Sequence, residues 1–251
     1  MRSSLTQDTA SVVYKLVYKP FGANAILIEW PPKIDEDILN NIIYFKRIIV
    51  KEYTGIEAIS AYHSLTIIFK NEIDFALTEE KLKILYNSVK KGVPFPKKIW
   101  HIPVCYSEEY GLDVKEYTKI KGFSLTKFIQ LHSSPLYTVF CIGFLPGFMY
   151  LGGLDAELHH PRRSAPRLKI PKGSVGIGGE QTGIYPQASP GGWNIIGNSP
   201  IQLFDPHSRN PCRINVGDKV KFYDVSEAEY ELLSIQVETG IYNMESEVIH
   251  D

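Results

Sequence analysis

Cysteine is scarce in this chain. Cys105, Cys141 and Cys212 are widely spaced, odd in number and without a C-x-x-C pair, so neither a disulfide framework nor a cysteine zinc site is indicated, and a reducing, cytoplasmic setting fits. Long apolar runs are missing too. None approaches the ~20 residues needed to span a bilayer, and the opening MRSSLTQDTASVV lacks an apolar h-region, so neither a membrane span nor a secretory signal is expected. Charge of one sign is also lacking: a formal net charge of -1 gives no drive for broad binding to nucleic acid or an anionic membrane. What remains is a chain of 251 residues, 44% hydrophobic, with enough apolar material to bury a real core in one large domain or two modest ones.

Familiar catalytic signatures are absent as well. GSVGIGGEQTG resembles a phosphate cradle, but GxxxxGK[ST] spacing is missing and no clear helix follows; no dinucleotide fingerprint stands in a strand–turn–helix setting. No G-x-S-x-G elbow or Cys–His constellation announces a nucleophile. His159 and His160 are adjacent, and neighbours on an extended segment point to opposite faces, so they are poorly placed to share a metal ion, and none is expected.

The chain opens with strand-like segments at 12–18 and 24–30, separated by Gly22. Asp35 can cap a helix through about Lys51, with Ile38, Ile42, Phe45 and Ile49 on one face. Strands at 56–62 and 64–70 follow. Thr78 is the expected cap of a second helix, with Leu82, Leu85 and Val89 as its apolar positions and Gly92 as its end. This order matches a ferredoxin-like split βαβ unit with an added N-terminal strand, closed by a strand at 98–104. Residues 92–96 read as the linker, giving domains 1–95 and 96–251.

Beyond it, helices are expected at 113–121 and 124–132. They resemble a helix-turn-helix only superficially, because LTKFIQLH has no Arg or Asn to read bases. From Leu136 the pattern is β throughout, at 136–142, 168–178, 192–204, 213–223 and 230–238. The densest stretch runs from Phe140 to Pro206. Gly and Pro recur there every few residues, interleaved with Phe144, Phe148, Tyr150, Tyr185 and Trp193 and with the basic residues Arg162, Arg163, Arg167, Lys169 and Lys172. Such residues can build a rigid pocket with aromatic walls and cationic donors, although the turns and core of a β-barrel would use the same types. Gln181 is polar enough to belong to it. Arg167, held between Pro166 and Pro171, is expected to be a preorganised anion contact whose removal leaves stability unchanged.

The runs GFLPGFMYLGGL, PRRSAPRLKIPKGSVGIGGEQTGIYP and SPGGWNIIGNSPIQLFDP closely resemble the B-subunit family of bacterial 5-oxoprolinase, also known as KipI-like proteins or allophanate hydrolase subunit 1. IPVCYSEEYGLD, LHSSPLYTV, YKPFGANAILIEW and AYHSL extend the resemblance over nearly the whole chain. His63 stands where Arg is usual, Leu145 where Thr is common and Gly178 where Ala is common. The resemblance implies an N-terminal α+β, ferredoxin-like domain followed by a mainly-β, cyclophilin-like barrel. It further implies work beside the C and A subunits of 5-oxoprolinase, opening 5-oxoproline to glutamate with ATP hydrolysis. ATP would be used by the assembled complex, with no cofactor held by this chain. Two alternatives come with the same resemblance: a non-enzymatic inhibitor of a sporulation-type histidine kinase, and part of a urea carboxylase or allophanate hydrolase-like assembly. The expected substrate- or partner-binding set is Arg162, Arg163, Arg167 and Lys172 for anions, with Phe148, Tyr150, Gln181, Tyr185 and Trp193 shaping the pocket.

Overall fold

A computed structural model describes residues 14–87 and 95–249. The chain divides into two compact units, Met1–Phe95 and Pro96–Asp251. Among the described residues no helix is long and apolar enough to cross a membrane.

The first unit contains strands β1 (Val17–Pro20) and β2 (Ala25–Glu29), helix α1 (Glu36–Glu52), strands β3 (Glu57–Ala61) and β4 (Ser64–Ile68), and helix α2 (Phe75–Asn87). Asp35 caps α1, its carboxylate accepting from the N–H groups of Asp37 and Ile38. The helical repeat then buries Ile38, Ile42, Phe45 and Ile49 against the sheet. The period of two supplies the facing layer: Ile26 and Ile28 of β2 and Leu65 and Ile67 of β4 are fully buried. The antiparallel order is β1-β2-β4-β3. Asn41 ties this core together, its side-chain oxygen accepting from Trp30 Nε1 at 2.8 Å and from the Tyr86 hydroxyl at 2.9 Å.

Two expectations for this unit need correction. The second helix starts before Thr78, because Asp74 takes the capping role: its carboxylate accepts from Leu77 N–H at 3.0 Å, while the Thr78 hydroxyl donates back to Asp74 O at 2.6 Å. Val89, Gly92 and linker residues 92–94 lie outside the described residues. Residues 98–104 do form a strand, β5 (Lys97–Val104), but it pairs in the second unit, parallel to β13 and antiparallel to β14. The edge beside β2 is occupied by β1, joined to it by a short turn at Gly22 (φ +80°). A local hairpin closes with less loss of chain entropy than a long crossover.

After β5 the second unit continues with α3 (Val114–Lys121), α4 (Leu125–Ser133), β6 (Tyr137–Ile142), β7 (Met149–Gly152), β8 (Arg167–Ile170), β9 (Ser174–Gly178), β10 (Gln181–Ile184), β11 (Ser189–Gly191), β12 (Asn194–Asn198), β13 (Lys219–Asp224), α5 (Glu227–Glu238) and β14 (Ser246–Ile249). Its main sheet runs β14-β5-β13-β6-β7-β10-β9-β12. Cys105, the residue after β5, then bridges to Asn198 at the end of β12, with N–H···O bonds of 2.9 and 3.0 Å, so the sheet curls back on itself. Strands β8 and β11 form a separate two-stranded ribbon. The segment expected as one strand at 168–178 is therefore two, split by a turn at 171–173. Residues 230–238 are helical where a strand is expected: Ser226 and Glu229 form a reciprocal capping box that starts α5. Ser226-x-x-Glu229 is readable in the sequence, and the apolar run after it conceals it.

The core of this unit holds a fully buried histidine. His132 Nε2 lies 2.9 Å from Thr182 Oγ1, and the Thr182 hydroxyl donates to Gly176 O at 3.0 Å. With its one hydrogen so placed, Thr182 accepts from His132 Nε2–H. Nδ1 then accepts from the Tyr106 hydroxyl at 2.7 Å, and the ring stacks on Phe222. Every contact suits the neutral ring, and burial lowers its pKa to about 3. In the unfolded chain the same imidazole protonates near ~6.5. Above that pH both states are neutral and the full stability is present. Below it the unfolded state takes up a proton that the folded state refuses, so stability falls as pH drops from ~6.5 toward ~3. Urea titrations should show this group contributing about 1.4 kcal/mol of loss per pH unit below about 6. The slope between about pH 6.5 and 5 should flatten in His132→Gln, and an unchanged slope there would refute the assignment.

Candidate functional site

Three glycines of GSVGIGGEQTG lie in strands β9 and β10, and they serve an indole. Gly176 and Gly178 lie on one face of β9, and Gly183 of β10 pairs with Gly176. A Cβ at Gly178 would stand 2.6 Å from Trp193 Nε1, and one at Gly183 would stand 3.2 Å from Trp193 Cζ3. The strip bare of side chains is the seat of Trp193, which explains the glycine spacing without any phosphate.

Around this seated indole the aromatics meet edge to face. The Phe148 ring centroid lies 5.4 Å from Trp193, 5.2 Å from Tyr185 and 4.9 Å from Tyr150. Gly191 permits the arrangement, since a Cβ there would collide with the Tyr185 hydroxyl. Over the rings opens a cavity of about 330 Å³, with Phe148, Tyr150, Tyr185 and Trp193 as walls and Pro166, Pro190 and Arg162 at its border. Phe144 stands at the rim, 63% exposed and at φ +70°, a backbone conformation that a bulky residue rarely adopts. Burial raises the pKa of Tyr150 and of Tyr185, so both phenols stay protonated and able to donate. The residues lining the cavity include no carboxylate and no imidazole.

Arg162 is aimed by its neighbours. Pro161 O accepts from Asn194 Nδ2 at 2.9 Å, and Arg163 N–H donates to Gly192 O at 2.7 Å, so the residues on either side of Arg162 are fixed to the segment carrying Trp193. The guanidinium carbon lies 5.7 Å from the Trp193 ring centroid.

Arg163 and Arg167 do something else. Both grip Asp113, only 4% exposed, at the start of α3. Arg163 Nη1 donates to Oδ1 at 2.8 Å; Arg167 donates Nη2 to Oδ1 at 2.6 Å and Nη1 to Oδ2 at 2.8 Å. Ile195 N–H adds a bond to Oδ2 at 2.7 Å, and Asp113 N–H returns one to Ile195 O at 2.8 Å. Asp113 thus makes no side-chain cap for its own helix and clamps β12. The expectation that Arg167 is a free anion contact is corrected: its fork is already bidentate on an internal carboxylate. Lys172 sits exposed in the turn before β9, where its carbonyl accepts from Asn198 Nδ2, and Gln181 opens β10; neither lines the cavity. His159 and His160 diverge, His159 Nε2 donating to Leu154 O and the His160 ring packing on Tyr117.

Residues 16–214 match the family model described as carboxyltransferase domain, subdomain C and D. The 5-oxoprolinase B subunit of Bacillus subtilis is 37% identical over 223 residues, 83% of this chain and 92% of the relative. The chain belongs to the 5-oxoprolinase B-subunit family. Among solved structures, TTHA0988 superposes with a TM-score of 0.69 at 29% identity, over 81% of this chain, which spans 40% of that longer one. The urea carboxylase of Kluyveromyces lactis shares the fold, with a TM-score of 0.79 over 95% of this chain and 24% of that one.

In this member of the B-subunit family, sequence reasoning found Arg162, Phe148, Tyr150, Tyr185 and Trp193, which converge. It missed Asp113, which looks like any acidic residue opening a helix, and Phe144 as the strained rim. Because Asp113 is buried and its partners are partly exposed, Arg167→Ala should destabilise by about 1.5–3 kcal/mol and Asp113→Ala by about 2–4 kcal/mol. At roughly 2–4 °C per kcal/mol, calorimetry resolves both. A thermal midpoint unmoved in Arg167→Ala would show that the clamp carries no weight.

Proposed function

We propose that this chain is the substrate-holding subunit of an ATP-dependent 5-oxoprolinase, and that the A and C subunits of that enzyme supply the ATP chemistry. The observation that carries the reading is the cavity's composition: one arginine beside four aromatic walls, with no acid–base group. 5-Oxoproline is a small ring bearing one carboxylate. Arg162 offers a planar fork for that carboxylate, the rings offer apolar faces for the pyrrolidinone, and the protonated Tyr150 and Tyr185 are donors for a lactam oxygen. Opening an unstrained lactam at neutral pH needs carbonyl activation, which phosphorylation of the lactam oxygen by ATP would provide. A pocket with no carboxylate or imidazole is suited to hold and orient such an intermediate, while water activation falls to a partner.

The reading extends to the fold and the setting. The first unit's strand and helix order supports a ferredoxin-like description with β1 at the edge expected for the closing strand, and the curled sheet of the second supports a cyclophilin-like one. Three free cysteines suit a reducing cytoplasm. Fold alone does not carry prolyl isomerase activity across.

Reconstitution of 5-oxoproline-dependent ATP hydrolysis from purified subunits, omitting each in turn, tests the proposal. The chain alone should neither hydrolyse ATP nor consume 5-oxoproline. In the full complex Arg162→Ala should lower kcat/KM about tenfold to hundredfold, with Arg162→Lys recovering part of it. The thermal midpoint should hold, because substituting this exposed side chain changes stability by about 0.5 kcal/mol at most. Undiminished turnover in Arg162→Ala would remove the pocket from the reaction, and turnover by a complex lacking this chain would end the reading altogether.

A further inference from the structure

Helix α5 is twelve residues long, and none of them is buried. Tyr230, Leu233 and Val237 turn toward the rest of the unit and are half-buried. On the opposite side Ala228, Leu232 and Ile235 recur at helical spacing, with Leu232 56% and Ile235 58% exposed. The helix ends in a Schellman turn: Gly240 (φ +73°) donates to Val237 O, and Ile241 N–H donates to Gln236 O. Such a turn commonly brings the residue after the glycine toward the last helical turn, and that residue, Ile241, is another apolar side chain, 76% exposed. A short helix draws most of its stability from packing, and here a second apolar face has no cover from the described residues of its own chain.

Charge selects what covers it. At ~100° per residue, Glu227, Glu231 and Glu238 fall along one border of the stripe, all exposed. Gln236 and Glu229 lie along the other, and Glu229 is held by Ser226 in the capping box. A second copy packed antiparallel would set the glutamate border against itself, and a parallel one would set it against Glu229 and Gln236; neither brings a cation. An anionic lipid surface is repelled by the same row.

We infer that α5 is a docking helix for another member of the complex, one presenting an apolar strip bordered by lysine or arginine. This rests on the reading that the chain works in a complex, and it concerns residues beyond the 16–214 stretch that the family model matches.

The test co-expresses the full chain with the A and C subunits of 5-oxoprolinase, followed by size-exclusion chromatography and titration of the purified chains. The wild-type chain should co-elute with at least one of them. L232S/I235S should weaken that association about tenfold or more, with circular dichroism and thermal midpoint unchanged, since both side chains are exposed. E231K/E238K should weaken it at low salt, with the difference from wild type shrinking as salt rises. Wild-type affinity in L232S/I235S would overturn the docking helix and leave the complex standing. A wild-type chain that binds neither partner would overturn both the complex reading and this surface. A wild-type homodimer that L232S/I235S turns into monomer would overturn the choice of occupant in favour of a second copy.

Discussion

A carboxylate that is almost entirely out of water is tolerated only where donors replace its hydration, and Asp113 has a full set: two guanidinium groups and the Ile195 N–H. Those donors come from different stretches of chain. The clamp therefore ties the start of α3, the 163–167 segment and the start of β12 into one piece. Arg162 and Trp193 each stand one or two residues from a clamped position. The ion-pair cluster thus adds to the Asn194 and Gly192 hydrogen bonds that fix the cavity border.

The rest of the site is made rigid by what the chain leaves out. Glycines at 176, 178 and 183 remove side chains where the indole lies, and Gly191 clears the Tyr185 hydroxyl. Pro166 and Pro190 stiffen the two strands of the ribbon at the border. Aromatic rings fixed edge to face lose little further freedom when a ligand enters, which favours binding by preorganisation. The same construction leaves no group to take or give a proton near neutral pH, because burial holds both phenols protonated. A pocket of this kind is suited to holding and orienting a ligand.

The second unit thus presents two different kinds of surface. The cavity is concave, aromatic and bordered by one cation, suited to a small anion with an apolar ring. The outer face of α5 is convex, aliphatic and bordered by glutamates, suited to a protein. That division is what a chain needs if it binds substrate itself and receives its chemistry from a neighbour.

Composition and local pattern were enough for α1, α3, α4 and most strands, because capping side chains and the periods of ~3.6 and ~2 are properties of neighbouring residues. They were also enough to bring Arg162, Phe148, Tyr150, Tyr185 and Trp193 into a candidate set, though Arg163, Arg167, Lys172 and Gln181 entered it on the same grounds and do not line the cavity. α5 was legible through Ser226 and Glu229 but was outvoted by its β-branched and aromatic content. What only the tertiary structure decided is which partner each residue meets. β5 looks like the strand that closes the first unit, yet its ladder is with β13 and β14. Arg167 looks like Arg162, yet it faces Asp113, 54 positions away. Strand pairing and charge pairing across such separations depend on chain topology, which no local window contains. The sequence therefore determined which side chains carry positive charge, and the fold determined which of them borders the cavity and which of them grip Asp113.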